Sequence, residues 1–391
     1  MRMSLLFYPL IAIFFVFTTQ SHEALRIHKE AIVVDGHNDL LMSVMQGENI
    51  EKRRDSGQSD LVRLREGGVD AQVFSIWVPP ATTHERGYSG YADEEIDSLD
   101  AIIARNRDRV KKVTNIAELR ECLRQGKLAC LYGMEGGHPL ENRMENLYHF
   151  FQRGIRYMGL TWNNSTSWAT SARDEATGKK GGLTSFGRKI VHAMDSLGML
   201  IDISHLGPTA VREVLAETGN PVIASHSSCD FLAHHYRNLT DDQLRAIAGN
   251  GGVVMVNFFP RFIDSSVTKA EMRKLKRFAS EWKTIAKKFA NNPERRAKER
   301  RKFLATRYPQ VHATLRRVVD HIDHVVLVAG IDHVGIGSDF DGISVAPLGL
   351  EDVTHLPELT AELLRRGYSE TNIKKILGGN FIRVFSRVCV N

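Results

Sequence analysis

The chain reads as an α/β protein built on a single (β/α)8 barrel of the TIM type. Three observations predict this. Eight short apolar runs alternate along the chain with helix-like stretches, the pattern of a parallel sheet closed by crossover helices. Most of those runs end in a histidine or a carboxylate, as expected where strand ends line one functional face. The length of 391 residues, with 42% hydrophobic and 25% charged residues, is ordinary for a globular chain and ample for a buried core. Two or three average domains would also fit that length, but regular strand–helix alternation favours one barrel.

At the N-terminus, Arg2 precedes an apolar run from Leu5 to Phe17 interrupted by Pro9, followed by Thr18, Thr19, Gln20 and Ser21. This is a secretory signal pattern, with cleavage expected between about residues 19 and 24. Residues 1–23 are therefore read as a signal peptide and 24–391 as the barrel domain. The run falls short of the about 20 residues that span a bilayer comfortably. The mature chain is expected to be secreted or periplasmic with no transmembrane span, or membrane-anchored if the segment is retained.

The apolar runs are Ile32–Val34, Ala71–Trp77, Leu128–Tyr132, Tyr157–Leu160, Leu200–Ile203, Val222–Ala224, Gly252–Val256 and Val334–Ile336. Most are four to six residues long and rich in β-branched residues, which suits strands buried on both faces. Between them, Leu183–Leu197 carries apolar residues at helical spacing and stops at Gly198. Pro208–Thr218 opens on a first-turn proline. Asp241–Ala248, Glu358–Arg366 and Ser369–Leu377 each run up to a glycine. From Asn257 to Val334 is 77 positions, against about 30 for a simple βαβ crossover. The excess predicts a helical insertion over about 265–317, after the seventh strand. Met272, Leu275, Ala279, Trp282, Ala286 and Phe289 predict an amphipathic helix within it, and Glu294–Leu304 a second, very basic one.

The residues that follow the strands carry the chemistry. His37 and Asp39 follow the first strand, Glu135 the third, His205 the fifth, His226 the sixth and Asp339 the eighth. His-x-Asp in an extended segment places both side chains on one side, so both can reach one ion. His205 and His226, on adjacent strands, can hold a second. Glu135 has two oxygens and can bridge ions about 3.5–4 Å apart. Imidazole with carboxylate suits zinc, with manganese or cobalt as alternatives. Two ions would bring a bridging water towards a neutral pKa and polarise a carbonyl oxygen, leaving Asp339 to move the proton to a leaving amine. Each residue alone has an ordinary structural explanation, such as a helix cap for Asp339; six at strand ends of one barrel do not.

The motifs Val34-Asp35-Gly36-His37-Asn38-Asp39-Leu40, Glu135-Gly136-Gly137-His138 and Leu200-Ile201-Asp202-Ile203-Ser204-His205 stand in this order. They are followed by Ser225-His226-Ser227-Ser228, Arg237-Asn238, Met255-Val256-Asn257-Phe258 and Gly337-Ser338-Asp339-Phe340-Asp341-Gly342. On these residues the chain resembles the membrane dipeptidase (renal dipeptidase) family of metal-dependent barrels from about residue 28 to 387. The resemblance implies two Zn2+ per subunit, with His37, Asp39 and Glu135 on one and Glu135, His205 and His226 on the other. It further implies Asp339 as proton shuttle, Arg237 as partner of the substrate's terminal carboxylate, and a free dipeptide as substrate. Family members carry a histidine after the fourth strand that helps hold the substrate carbonyl. Here Trp162 stands at that position, and tryptophan donates one hydrogen bond but cannot become charged. Trp162 thus marks an altered substrate pocket.

Charge separates the insertion from the rest. Residues 269–317 hold 17 Lys/Arg and 4 Asp/Glu, a net of +13 within a total of +6, which leaves −7 for the remaining chain. An acidic body argues against a nucleic-acid partner. The insertion reads as a solvated helical hairpin, with a lid or an anionic-surface dock as the functional alternatives. Cys122, Cys130, Cys229 and Cys389 form no CxxC pair, which excludes a thiolate zinc site. The expected function is a binuclear zinc dipeptidase, compatible with a homodimer. Its rivals are a related metal-dependent amide hydrolase with another substrate, and an inert barrel that binds the cell envelope through its basic hairpin.

Overall fold

Nine strands are present among the described residues: β1 (Val34–Asn38), β2 (Ala71–Ile76), β3 (Val110–Lys112), β4 (Leu128–Met134), β5 (Ile155–Gly159), β6 (Leu200–Asp202), β7 (Ile223–Ala224), β8 (Val253–Val256) and β9 (Val334–Ile336). All pairings between them are parallel. The order β2-β1-β9-β8-β7-β6-β5-β4 is closed by a β2–β4 pairing, giving a ring of eight. The computed structural model describes residues 21–80, 85–290 and 312–390, with Asn292, Arg295, Arg296, Glu299 and Phe303. The expected signal segment up to residue 20, and most of the expected basic helix Glu294–Leu304, lie outside the described residues.

The eight expected strands are the eight barrel strands, most with ends shifted by one or two residues, and one further strand is added. The first is set at Val34–Asn38 rather than Ile32–Val34, because the pairing continues through the polar Asp-Gly-His-Asn stretch. An apolar pattern cannot mark a strand whose buried side chains are polar. The additional β3 pairs with the start of β4, before β5 takes over that edge at Tyr132.

Two layers of core hold the ring. The outer layer packs strands against helices, for example Ile190, Val191 and Met194 of helix Ser185–Leu197. The inner layer gathers Val34, Ala71, Val73, Ala129, Leu131, Tyr157, Leu200, Ile223 and Val253 from the strands with Phe381, Val384, Phe385 and Val388 from the last helix. Helix Asn380–Val388 thus seals the end of the barrel where the strands begin. The expected stop at Gly378 does not occur: the chain passes through a π-turn, Lys375–Gly379, straight into that helix. Gly378 is there for close approach, since a Cβ would collide with the Ile32 carbonyl.

The insertion opens with helix Ser265–Lys288, capped by Asp264, whose carboxylate accepts from the Ser266 N–H at 2.8 Å. The expected apolar stripe is only partly covered. Met272 is 54% exposed and Ala279 is exposed, whereas the Trp282 ring lies tilted against Phe303 with centroids 5.7 Å apart. Among the described residues no helix is long and apolar enough to cross a membrane. The four cysteines are buried and unbridged.

Candidate metal centre

The strand C-termini converge on one cup. His37 sits within β1, and Asp39 follows it directly. Glu135 follows β4, His205 lies just beyond β6, His226 beyond β7, and Asp339 beyond β9. All six are at most 7% exposed or line the same pocket of about 280 Å³. His37 Nε2 stands 3.6 Å from Asp39 Oδ1 and 3.7 Å from Glu135 Oε2. On the other side of the same carboxylate, Glu135 Oε1 is 2.9 Å from His205 Nε2 and 3.5 Å from His226 Nε2. The two imidazole nitrogens are 3.0 Å apart, and the His37 and His226 rings stack at 3.8 Å. Asp339 joins His37 and Asp39 in a second compact group, its oxygen within 4.8 Å of theirs.

This arrangement suits cations. His37 Nε2 and Asp39 Oδ1 are buried without a hydrogen-bond partner, although buried polar atoms are normally satisfied. The carboxylates of Asp39, Glu135 and Asp339 line one pocket. The electrostatics draw positive charge inwards. Burial opposes ionisation of Glu135, but His37 and His205 outweigh it and hold the carboxyl well below its usual range. Burial also opposes a charged His37, yet Tyr157, Asp39 and Glu135 outweigh it and push its pKa up. Burial, with the Arg237 charge, pushes His205 down to about 4, leaving it neutral and able to act as a ligand. Asp339 is pushed up, first by burial and then by the neighbouring Asp39 charge. Such perturbed groups mark functional sites.

Backbone and supporting side chains fix these positions. Asp339 and His205 both adopt left-handed backbone, with φ of 62° and 67°. Asn257 donates to Asp339 Oδ2 at 2.8 Å. Gly342 leaves room beside the carboxylates, since a Cβ there would overlap Asp39 and Asp339. Asp35 accepts from the Ser338 hydroxyl at 2.6 Å and N–H at 2.8 Å, pinning β9 to β1. Asp202 does the same for Ser225, at 2.6 and 2.9 Å.

Trp162 lines the pocket, with its ring 6.2 Å from His205 and 5.1 Å from Trp77. Arg237 is placed differently from the metal-ligand candidates. It is 3% exposed, donates to the His226 carbonyl at 3.1 Å and to Ser227 Oγ at 3.4 Å, and lies 5.5 Å from the Phe262 ring. It stands beside the cup with its Nε unpartnered. Arg261, which sequence reasoning missed, lines the pocket together with His235, Tyr236, Phe259 and Phe262. Nothing in the strand pattern signals Arg261, because it belongs to the short helix Pro260–Ile263 at the mouth of the insertion.

The sequence profile of the membrane dipeptidase family, peptidase family M19, matches residues 21–390. Dipeptidase 3 of Rattus norvegicus is 34% identical over 376 residues, covering 94% of this chain and 67% of that protein, so the chain spans about two thirds of its relative's length. The structure of the probable dipeptidase PvdM from Pseudomonas aeruginosa superimposes with a TM-score of 0.79 at 26% identity, covering 95% of this chain and 98% of that one. A metallopeptidase from Rhodobacter sphaeroides, liganded with a phosphinate mimic of the dipeptide L-Ala-D-Ala, superimposes with a TM-score of 0.75 at 26% identity, covering 92% and 99%. The chain therefore belongs to the membrane dipeptidase family, peptidase family M19, as a metal-dependent dipeptidase.

Proposed function

We propose that the chain hydrolyses free dipeptides at a centre of two zinc ions held by His37, Asp39, Glu135, His205 and His226. The observation that carries this reading is the division of Glu135. Its Oε2 faces His37, while its Oε1 faces His205 and His226, so each oxygen has its own imidazole set. An imidazole–carboxylate set of this kind suits zinc. Bound zinc supplies Lewis-acid polarisation of the scissile carbonyl and activation of water.

The remaining work falls to the chain. Asp339 accepts a proton at its carboxylate and returns it to the leaving amine. Its raised proton affinity suits a group that must hold the proton between those steps. The Asn257 amide keeps Oδ2 engaged, so the proton is handled at Oδ1. Arg237 meets the substrate's terminal carboxylate, as a planar guanidinium does well. Trp77, Trp162, Phe259 and Phe262 give the pocket an apolar wall that favours uncharged side chains. The substrate class is supported by the phosphinate mimic of L-Ala-D-Ala bound to the Rhodobacter sphaeroides relative. The apolar segment before Ser21 supports secretion or periplasmic location.

The test is zinc content together with turnover of a dipeptide panel and the same peptides amidated. Two ions per chain and turnover restricted to free carboxylates are expected. Arg237→Ala should lower kcat/KM on free dipeptides at least tenfold, about 1.4 kcal/mol, and barely change it on amidated ones. Should Arg261→Ala show that selectivity instead, the carboxylate partner is Arg261. Full metal content with no dipeptide turnover would shift the reading to an amide hydrolase with another substrate, for which Trp162 is the marker.

A further inference from the structure

The histidines of the centre differ in what holds the ring nitrogen that faces away from it. His226 Nδ1 lies 2.8 Å from Ser225 Oγ, which is itself 2.6 Å from Asp202 Oδ2. The Ser225 hydroxyl donates to the carboxylate, so its oxygen accepts from His226 Nδ1–H. His37 Nδ1 lies 2.9 Å from Tyr157 Oη, which is 3.2 Å from the Gly36 carbonyl. A carbonyl can only accept, so the phenol proton goes to Gly36 and Oη accepts from His37 Nδ1–H. In the neutral ring, the form that binds metal, this leaves the Nε2 lone pair facing Glu135 in both cases. His205 has no such support: its Nδ1 is buried without a partner.

Tyr157 reaches His37 from a strand that is not adjacent to β1 in the ring. It does so because β4 gives way. Gly133 is in register with Tyr157, and a Cβ on Gly133 would overlap the phenol ring. The glycine is the seat on which the ring lies, and the ring is buried among the inner barrel residues.

Resting on the two-zinc reading, we infer that Tyr157 is a positioning residue: seated on Gly133, it fixes the tautomer of His37 and thereby governs occupancy of the ion on the His37 side alone. Ser225 serves the His226 side in the same way. Partners of this kind typically change metal affinity 10–100-fold.

The experiment is a chelator-competition titration of the full chain with Zn2+, repeated with Co2+ and read by absorbance. Tyr157→Phe, which keeps the ring, is expected to weaken one of the two binding steps about 10–100-fold and leave the other unchanged. Ser225→Ala is expected to weaken the other step. Gly133→Ala should reproduce the Tyr157→Phe titration by displacing the ring, and the double variant should be no worse than the weaker single one. If Gly133→Ala does not fold, the Tyr157→Phe titration decides alone. Wild-type affinity at both steps in Tyr157→Phe overturns the inference, and so does loss of the same step in Tyr157→Phe and Ser225→Ala. A wild-type chain that takes up one ion overturns the two-zinc reading itself; Tyr157 is then judged on that single affinity, and an unchanged value in Tyr157→Phe overturns its role.

Discussion

Asp339 occupies left-handed backbone, where asparagine is tolerated better than almost any other replacement. Asp339→Asn therefore removes the proposed proton carrier while keeping shape, backbone and the contact with Asn257. The variant is expected to retain wild-type metal content and lose turnover by about 100-fold or more; measured kcat near wild type would end the proton-shuttle role. Trp162→His is the complementary change. It introduces a donor that can also carry charge at the pocket wall, and turnover of small dipeptides is expected to rise; a fall would show that the indole itself shapes the productive pose. Asp339 was legible in the sequence because it closely follows an apolar run, and Trp162 because the resemblance sets a histidine at its position. Tyr157 was not: an aromatic residue inside a strand looks like core, and only the barrel cross-section shows its hydroxyl meeting His37. Asn257 and Asp202 were visible as motif letters, but their partners, Asp339 and Ser225, are fixed by folding.

Among the elements, helix Leu315–Ala329 is tied to the face that bears the centre by the His321 imidazole, alongside the Arg317–Asp264 and His324–Asp241 ion pairs. The Cys229 N–H donates to His321 Nδ1 at 3.0 Å, and His321 Nε2 donates to the Ile263 carbonyl at 3.0 Å. Both nitrogens are used only if the ring is neutral. Burial accordingly pushes its pKa down to about 4, from 6.5 when exposed. The folded state thus binds fewer protons than the unfolded state between these values. The stabilisation is complete above about pH 6.5, declines as pH falls, and is lost at about pH 4, a difference of roughly 3 kcal/mol. His321→Gln is expected to flatten the acid limb of a denaturant-stability profile over that interval; an unchanged slope would remove His321 as a contributor. Helices were read well where a glycine ends them, as at Gly198. They were misread where a glycine serves packing, as at Gly378, because the letter is the same in both roles.

At the scale of the whole molecule, the described part of the basic insertion rests lightly on the barrel. Val267 and Ala313 are buried against the main core, whereas the described side chains of residues 269–290 are exposed or half-buried. Removing residues 270–310 with a short linker keeps both anchors, and shortening a surface connection changes closure entropy by only about 2 kcal/mol. The truncated chain is expected to fold, bind metal and hydrolyse small dipeptides. Retained metal with lost turnover would make the insertion a lid. Sequence charge revealed this segment as separate, but its apolar spacing overstated the covering, since Met272 faces solvent.

The seam between β1 and β9 has a consequence for when the protein becomes an enzyme. Asp39 N–H donates to the Phe340 carbonyl at 2.9 Å, and Asp339 N–H to the His37 carbonyl at 3.1 Å, so groups about 300 positions apart in sequence brace one another. A fragment ending before Asp339 lacks one side of this seam, so the proposed centre is completed only when the ring closes. Because an ion that binds only the closed ring stabilises it by about 4 kcal/mol at a thousandfold excess over Kd, metal supply would bear on the stability of the whole fold as well as on activity.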